Sequence, residues 1–493
     1  MGSRRGSSLS GEWHDRLDLA SGAVLLFIAA YAPWAANTHV PWLTHLLVGS
    51  CWLSGLLLVA KWITRPHDDD PNLQTRSRRW ISHAPGVLMA LLSFALIAQV
   101  AVSVWNYSAV VTRLPDGLEW TYREARPGWP TTFDRDATSS ALLRYIGLVA
   151  VFWAMRDWIL RGGSGRGSGD EGSRPRMPRR LRWLVWALAL SGASMALVGI
   201  VHRLDKAKDL LWLMPLKDTP FTQMFGSFPY RANAGQYFNL IWPLLVGSWI
   251  ASQRSESIHS LREGRTQQGG SESFLLVCAG LMVAAIFTAA SRMAIAIALV
   301  QMVLVVFLAA ISVTSWKLRG TLAGGMVLAL VLGWFAQGDF LRKRFENAFV
   351  DETMSGRTSI YAYARPLADR LPTWGWGAEA FRTYGELHRN AFPANPEFVH
   401  DDPLEVRGGM GWVGLGVVLG CLALVPAMAA SRNTIQAASA PLMFLWLGGV
   451  GLLVHACVDY PLQVPVIQVT CILLAGVASA CSWRRRRSRG AGA

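Results

Sequence analysis

Apolar residues come in blocks of about 20 along this chain, separated by polar connections rich in glycine, proline or charge. At 1.5 Å per residue, a helix of that length crosses a hydrocarbon core of roughly 30 Å. The pattern predicts twelve spans, near 19–37, 42–62, 84–105, 140–160, 182–201, 233–252, 273–290, 293–314, 319–337, 410–430, 438–457 and 463–482. Ten-residue segments of alternating polarity, the mark of an outer-membrane barrel, do not occur. The expected fold is an all-α polytopic membrane protein with about 12 transmembrane helices. The blocks divide it into an N-terminal bundle of about nine spans (1–337), a long loop with short helices (338–409), and C-terminal helices with a basic tail (410–493). The head before the first span is Ser/Gly-rich and lacks a small-residue cleavage signal, so that span is read as retained.

Composition agrees with the pattern. The 493 residues are 52% hydrophobic and only 16% charged, whereas a soluble chain of this size would form two or three more polar domains. Basic residues then set the expected orientation. Arg65, Arg76, Arg78 and Arg79 follow the second span, GGSGRGSGDEGSRPRMPRR follows the fourth, and Arg484 to Arg487 lie in the tail. All fall on the side of the N-terminus, so both termini are expected in the cytoplasm of a bacterial inner-membrane protein. The formal charge of +15 is read as topology and contact with anionic membrane lipids. No basic domain interleaved with aromatics exists, so no nucleic-acid partner is expected. The six cysteines fall in or at the ends of spans without a CxxC pair, which argues against structural disulfides and a Cys-bound metal.

Three connections on the opposite, outer side are long, about 106–139, 202–232 and 338–409. The third holds nine Lys/Arg against eleven Asp/Glu, with too many aromatics for a disordered tether. It is expected to fold as short helices over the outer face. Within it, Arg357, Tyr361 and Arg365 stand at i, i+4, i+8 and share one helical face, which Pro372 ends. An arginine there can grip a phosphate through two parallel hydrogen bonds, or pair with a loop carboxylate. Arg292 sits in the brief break TAASRMAIA between two spans, where it either meets an anion or snorkels to headgroups. Arg231 opens the sixth span, with Asn233 and Gln236 nearby. Three arginines at the outer ends of spans suggest a pyrophosphate pocket; three separate headgroup contacts are the alternative.

His400 begins the run HDDPLEVRGGMG, beside Asp401, Asp402 and Glu405 and just before the tenth span. A neutral imidazole can take a proton from a hydroxyl, while neighbouring carboxylates favour its charged form. A hydrogen-bonded structural histidine is the plainer reading. HxxxH, HExxH, GxSxG and phosphate-cradling glycine loops in a strand–helix setting are missing, against metal, serine-hydrolase and nucleotide-driven chemistry.

These residues resemble the O-antigen ligase and polymerase superfamily of bacterial membrane glycosyltransferases, over about 220–425. The family pattern R-x3-(W/Y)…P-x2-G-x-G-x3-F is matched by Arg357, Tyr361, Pro372, Gly375, Gly377 and Phe381. The pattern H-(N/D)-x2-L leading to G-x2-G is matched by His400, Asp401, Leu404, Gly411 and Gly414. The Ser291–Arg292 turn and Gly226-Ser227-Phe228 with Arg231 are also similar to the family's. Two departures stand out: Gly409 occupies a position that is often acidic, with Asp402 and Glu405 as the candidate substitutes, and Tyr230-Arg231-Ala232-Asn233 replaces an Asn-Arg-Asn type of turn.

The resemblance implies a metal-independent, GT-C-like enzyme without cofactors. Its donor would be a glycan on undecaprenyl pyrophosphate, and its acceptor lipid A-core or another glycan at the periplasmic face. Arg231, Arg292 and Arg357 would face the pyrophosphate, His400 the acceptor hydroxyl, and Asn233, Tyr361, Asp401, Asp402 and Glu405 would bind substrate. A polymerase using a second lipid-linked repeat is the nearest rival. A lipid-linked-sugar transporter would need charge at span centres and repeat symmetry, which the chain lacks. An acyltransferase or a structural scaffold leaves the outer arginines unexplained.

Overall fold

The computed structural model describes residues 9–36, 40–64, 84–114, 117–162, 177–215, 222–263, 270–312, 352–387, 397–431, 434–436 and 439–482, with a few positions between 320 and 331. The chain is an all-α polytopic membrane protein. Eleven of the twelve predicted blocks contain helix: Leu9–Tyr31 (α1), Pro41–Ile63 (α2), Ala84–Trp105 (α3), Arg135–Gly162 (α4), Arg179–Leu204 (α5), Arg231–Glu263 (α6), Gly270–Ala289 (α7), Arg292–Ser312 (α8), Asp402–Ala430 (α11), Ser439–Ala456 (α12) and Pro465–Ala480 (α13). The block near 319–337 lies almost wholly outside the described residues. Two helices from the long third loop, Glu352–Arg370 (α9) and Phe381–Leu387 (α10), complete the set.

Among the described residues, nine of these helices are long and apolar enough to cross a membrane. Helix α6 is not among the nine, because Arg231, Asn233, Gln236 and Asn239 polarise its first turns. It is nevertheless buried continuously from Arg231 to Ile250, as the bundle's central element. A helix surrounded by protein on all sides can carry polar groups that a lipid-facing one could not. It packs against α12 with glycine at the crossing points. A Cβ on Gly247 would lie 2.5 Å from the Phe444 ring, and one on Gly448 would lie 2.4 Å from the Leu240 carbonyl. Small residues let these two backbones approach, and that approach brings the end of α12 to the start of α6.

The tenth span starts at Asp402, eight residues before the apolar block suggests. Asp401 caps it, accepting a hydrogen bond from Leu404 N at 3.0 Å, and a proline follows in the first turn. The helix then breaks at Gly411, whose φ of 67° is left-handed. The segment before the break is a short polar helix outside the apolar run, which explains the early start.

Above the spans lies a second, smaller core that includes Phe133, Leu367, Trp376, Phe381, Tyr384, Val399 and Leu404. It joins the long third loop to an antiparallel hairpin, Ala109–Leu114 with Gly117–Tyr122, in the first loop. The segment Pro372–Gly377 is laid across the start of α11. Trp376 N and Gly377 N each donate at 2.9 Å to the carbonyls of Gly408 and Gly409, and Trp412 N donates at 2.8 Å to Pro372 O. A Cβ on Gly408 would come within 2.1 Å of the Trp376 ring, so the glycines of RGGMG are what admit this loop. At the opposite end of the bundle, Lys61 is fully buried between Asp18 at 2.7 Å and Asp157 at 2.6 Å.

Candidate functional site

The roof and the bundle meet at the carboxylate of Asp459, in the short turn between α12 and α13. Within that turn Asp459 is 1% exposed. His400 Nδ1 lies 3.1 Å from its Oδ1, and Arg357 Nη2 lies 3.4 Å from its Oδ2. Arg357 Nη1 also donates at 2.8 Å to the Val458 carbonyl. His455, one helical turn earlier, places Nε2 3.9 Å from Oδ2. Burial pushes the Asp459 carboxyl up, but the His400 hydrogen bond and the Arg357 charge outweigh it and hold the group below the usual carboxylate range. The reciprocal effect raises Arg357: burial works against its charge, and Asp459 more than offsets this. An ionised carboxylate only accepts, so His400 carries its proton on Nδ1 and donates it to Asp459. In the neutral imidazole Nε2 then carries the lone pair, directed away from the carboxylate.

His400 is held by its backbone as well. Its φ is 59°, left-handed and uncommon for a side chain with a Cβ, and Tyr361 Oη donates to its carbonyl at 2.7 Å. The i, i+4 spacing of Arg357 and Tyr361 on α9 therefore has a concrete result: one turn grips Asp459 and the next grips His400. Aromatic rings close the arrangement. Tyr460 stacks with Tyr230 at 5.8 Å and with Phe398 at 4.4 Å, and His400 meets it edge-on at 4.7 Å. Burial, and then the Asp459 charge, hold the hydroxyls of Tyr230 and Tyr460 protonated beyond the usual phenol range.

The remaining predicted residues fall around this cluster in different ways. Asn233 reaches the Tyr460 hydroxyl with its side-chain amide, which joins the first turn of α6 to the site. Arg231 is buried; its backbone N donates to Gln223 O at 2.6 Å and its Nη1 to Thr222 O at 2.7 Å, beside Tyr230. Arg292 opens α8, where a Cβ on Gly235 would lie 2.6 Å from Ala294. It therefore stands at the same end of the bundle, one helix from Asn233, and the His400–Asp459 contacts do not include it. Asp402 is buried and accepts from Leu462 N at 2.8 Å and Gln463 Nε2 at 2.9 Å, tying α11 to the Asp459 turn. Glu405 accepts from Val399 N at 2.7 Å. Asp401 is the helix cap; burial raises its carboxyl, and the Leu404 bond works in the opposite sense. The two carboxylates suggested as stand-ins for the acid missing at Gly409 are thus occupied in holding backbone, and the acid at His400 is Asp459.

Asp459, Tyr460 and Tyr230 are the residues that sequence reasoning passed over. Asp459 is 59 positions from His400 and 102 from Arg357. One signal was available: the HACVDY run, which puts an acid and a histidine four apart at the end of an apolar span, where unpaired ionisable groups are costly.

A search of curated proteins finds no match to this chain. Residues 277–419 match the family model described as O-antigen ligase, a segment that contains Arg292, Arg357, Tyr361 and His400 but ends before Asp459. Those residues are gathered at one end of a multi-span bundle, and over this segment the match supports the O-antigen ligase superfamily.

Proposed function

We propose that the protein is an inverting, metal-independent glycosyltransferase of ligase type. It moves a glycan from undecaprenyl pyrophosphate to a hydroxyl of a lipid A-core acceptor at the periplasmic face. The observation that carries this reading is the His400–Asp459–Arg357 constellation, a base with a fixed tautomer beside a guanidinium, at the mouth of the membrane bundle. In the reaction, the acceptor hydroxyl gives its proton to His400 Nε2 as its oxygen bonds to the anomeric carbon. The bond from that carbon to the pyrophosphate oxygen breaks, and undecaprenyl pyrophosphate departs with the electron pair. Asp459 stabilises the imidazolium that forms. Arg357, with Arg231 and Arg292 at neighbouring helix ends, stabilises the negative charge on the leaving group, which is greatest in the transition state and after it. No nucleotide is needed, because the phosphate-linked donor is already activated. Attack from the side opposite the leaving group inverts the anomeric centre.

The domain division follows the same logic: spans 1–337 and 410–493 anchor the lipids, and 338–409 supplies Arg357 and His400. The test is reconstitution of purified protein in liposomes with a lipid-linked oligosaccharide, with and without lipid A-core. Glycan on lipid A-core only when that acceptor is present supports the ligase. A ladder of longer lipid-linked glycans without it identifies a polymerase and overturns the acceptor assignment.

A further inference from the structure

A cavity of about 630 Å³ lies beside the aromatic stack. Its size is within the range of about 300–1,000 Å³ typical of small-molecule sites. Phe398 and Gln463 form the wall it shares with the His400 site. Phe398 stacks on Tyr460 at 4.4 Å, and Gln463 donates to Asp402, two residues from His400. Tyr230, the third ring of the stack, has its hydroxyl 3.5 Å from Arg357. Tyr460 thus contacts both Phe398, which lines the cavity, and Tyr230, whose hydroxyl meets Arg357.

The lining mixes apolar side chains with three arginines and four carboxylates, Asp134, Glu379, Glu386 and Glu397. Arg113 pairs with Asp134, Arg144 with Glu379, and Arg382 with Glu397 at 3.8 Å. Asp134 and the Arg144–Glu379 pair are largely buried, whereas Arg113 and the Arg382–Glu397 pair are exposed. Glu379 is held at φ 60°, a left-handed conformation that a glutamate adopts only when its surroundings enforce it. Three arginines already neutralised by carboxylates offer little to a pyrophosphate, and this much charge does not suit a lipid tail. Alternating donors and acceptors beside an aromatic ring suit sugar hydroxyls, which both donate and accept.

We propose that this cavity is the acceptor subsite, holding the terminal sugars of the acceptor glycan beside the Phe398–Tyr460 stack, next to the His400 site. The inference rests on the glycosyl-transfer reading, and it adds the side from which the second substrate arrives. In-line displacement requires the acceptor hydroxyl and the leaving pyrophosphate on opposite faces of the anomeric carbon, with no side chain between the hydroxyl and that carbon.

The decisive variant is Ala137→Trp, on the first turn of α4, which fills the cavity from a half-buried wall position without touching the His400 cluster. With protein in nanodiscs and saturating lipid-linked donor, the KM for lipid A-core is expected to rise at least tenfold, with the donor KM within twofold of wild type. Arg382→Glu, at an exposed position, is the companion should Ala137→Trp fail to fold, and it is expected to raise the acceptor KM about threefold to tenfold. Direct binding of the oligosaccharide released from lipid A-core is measured alongside and is expected to weaken in parallel. A wild-type enzyme that transfers glycan, with variants that keep the acceptor KM within twofold, overturns the subsite and leaves the transfer reading standing. A rise in donor KM instead assigns the cavity to the donor glycan and overturns the acceptor assignment. If the wild type transfers nothing, the transfer reading fails. Binding of the oligosaccharide that Ala137→Trp abolishes would still support a glycan site, and absence of binding to wild type overturns it.

Discussion

Replacing Asp459 by Asn keeps the side chain's size and removes its charge. In wild type, Oδ1 is 3.1 Å from His400 Nδ1, so the imidazolium formed during proton transfer gains about 5 kcal/mol of attraction at an effective dielectric of about 20. The imidazole is 24% exposed, and screening by solvent reduces that to roughly 2.5 kcal/mol, about 70-fold in rate. The tautomer is lost as well, because an amide can donate to Nδ1 and move the proton to Nε2, where the lone pair is needed. In the serine proteases the corresponding change lowers kcat about 10⁴-fold. The expected loss for Asp459→Asn is therefore about 10²- to 10³-fold in kcat. The assay is the initial rate of glycan transfer in liposomes at saturating donor and acceptor, normalised to folded protein by thermal unfolding. Combining Asp459→Asn with His400→Ala should cost little more than His400→Ala alone, since the two residues act as a unit. A kcat within threefold of wild type would refute the reasoning, whatever the fate of the family assignment. The pH dependence gives an independent check. Because the Asp459 carboxyl is held below its usual range, its contribution to stability is present above the unfolded carboxyl's pKa, near 4, and is lost only as pH falls through the lower folded value. Acid loss of activity centred above about pH 5 should therefore persist in Asp459→Asn.

His400→Ala should lower turnover by about 10²- to 10⁴-fold with the donor KM little changed, and a fall of less than about threefold would remove the base role. Arg357→Lys should recover little of the activity lost in Arg357→Ala, because a compact ammonium lacks the planar fork that spans Val458 O, Asp459 and a phosphate; equal rates for Lys and wild type would contradict this. Gly408→Ala should lower the melting temperature in detergent measurably, by a loss on the order of 1–3 kcal/mol, since its methyl would enter the Trp376 ring; unchanged melting would mean the roof loop shifts freely. Lys61→Met should destabilise the bundle by about 1–3 kcal/mol, since Asp18 and Asp157 lose their shared cation but keep Arg180 and Arg161, while the kcat of the folded fraction stays unchanged.

The parts of this protein that were legible in the sequence are those governed by local chemistry. Runs of about 20 apolar residues must be helices in a membrane, since no other conformation satisfies their backbone there, and eleven of the twelve blocks contain helix. The motif R-x3-Y also worked locally: four residues make one turn, so Arg357 and Tyr361 face the same neighbour. Where that neighbour came from was a different matter. Asp459 belongs to another span, and its place beside His400 follows from how closely α6 and α12 cross at Gly247 and Gly448. Gly411 shows the same division. Its position was visible as part of a motif, but that it breaks the helix under Pro372–Gly377 depends on a backbone arriving from the third loop. Helices, their order and half of the site's residues are encoded in short stretches, because period and spacing act over single turns. The carboxylate that fixes the tautomer, the aromatic stack and the cavity beside it arise only when distant ends of spans are packed together, and no local pattern specifies that packing.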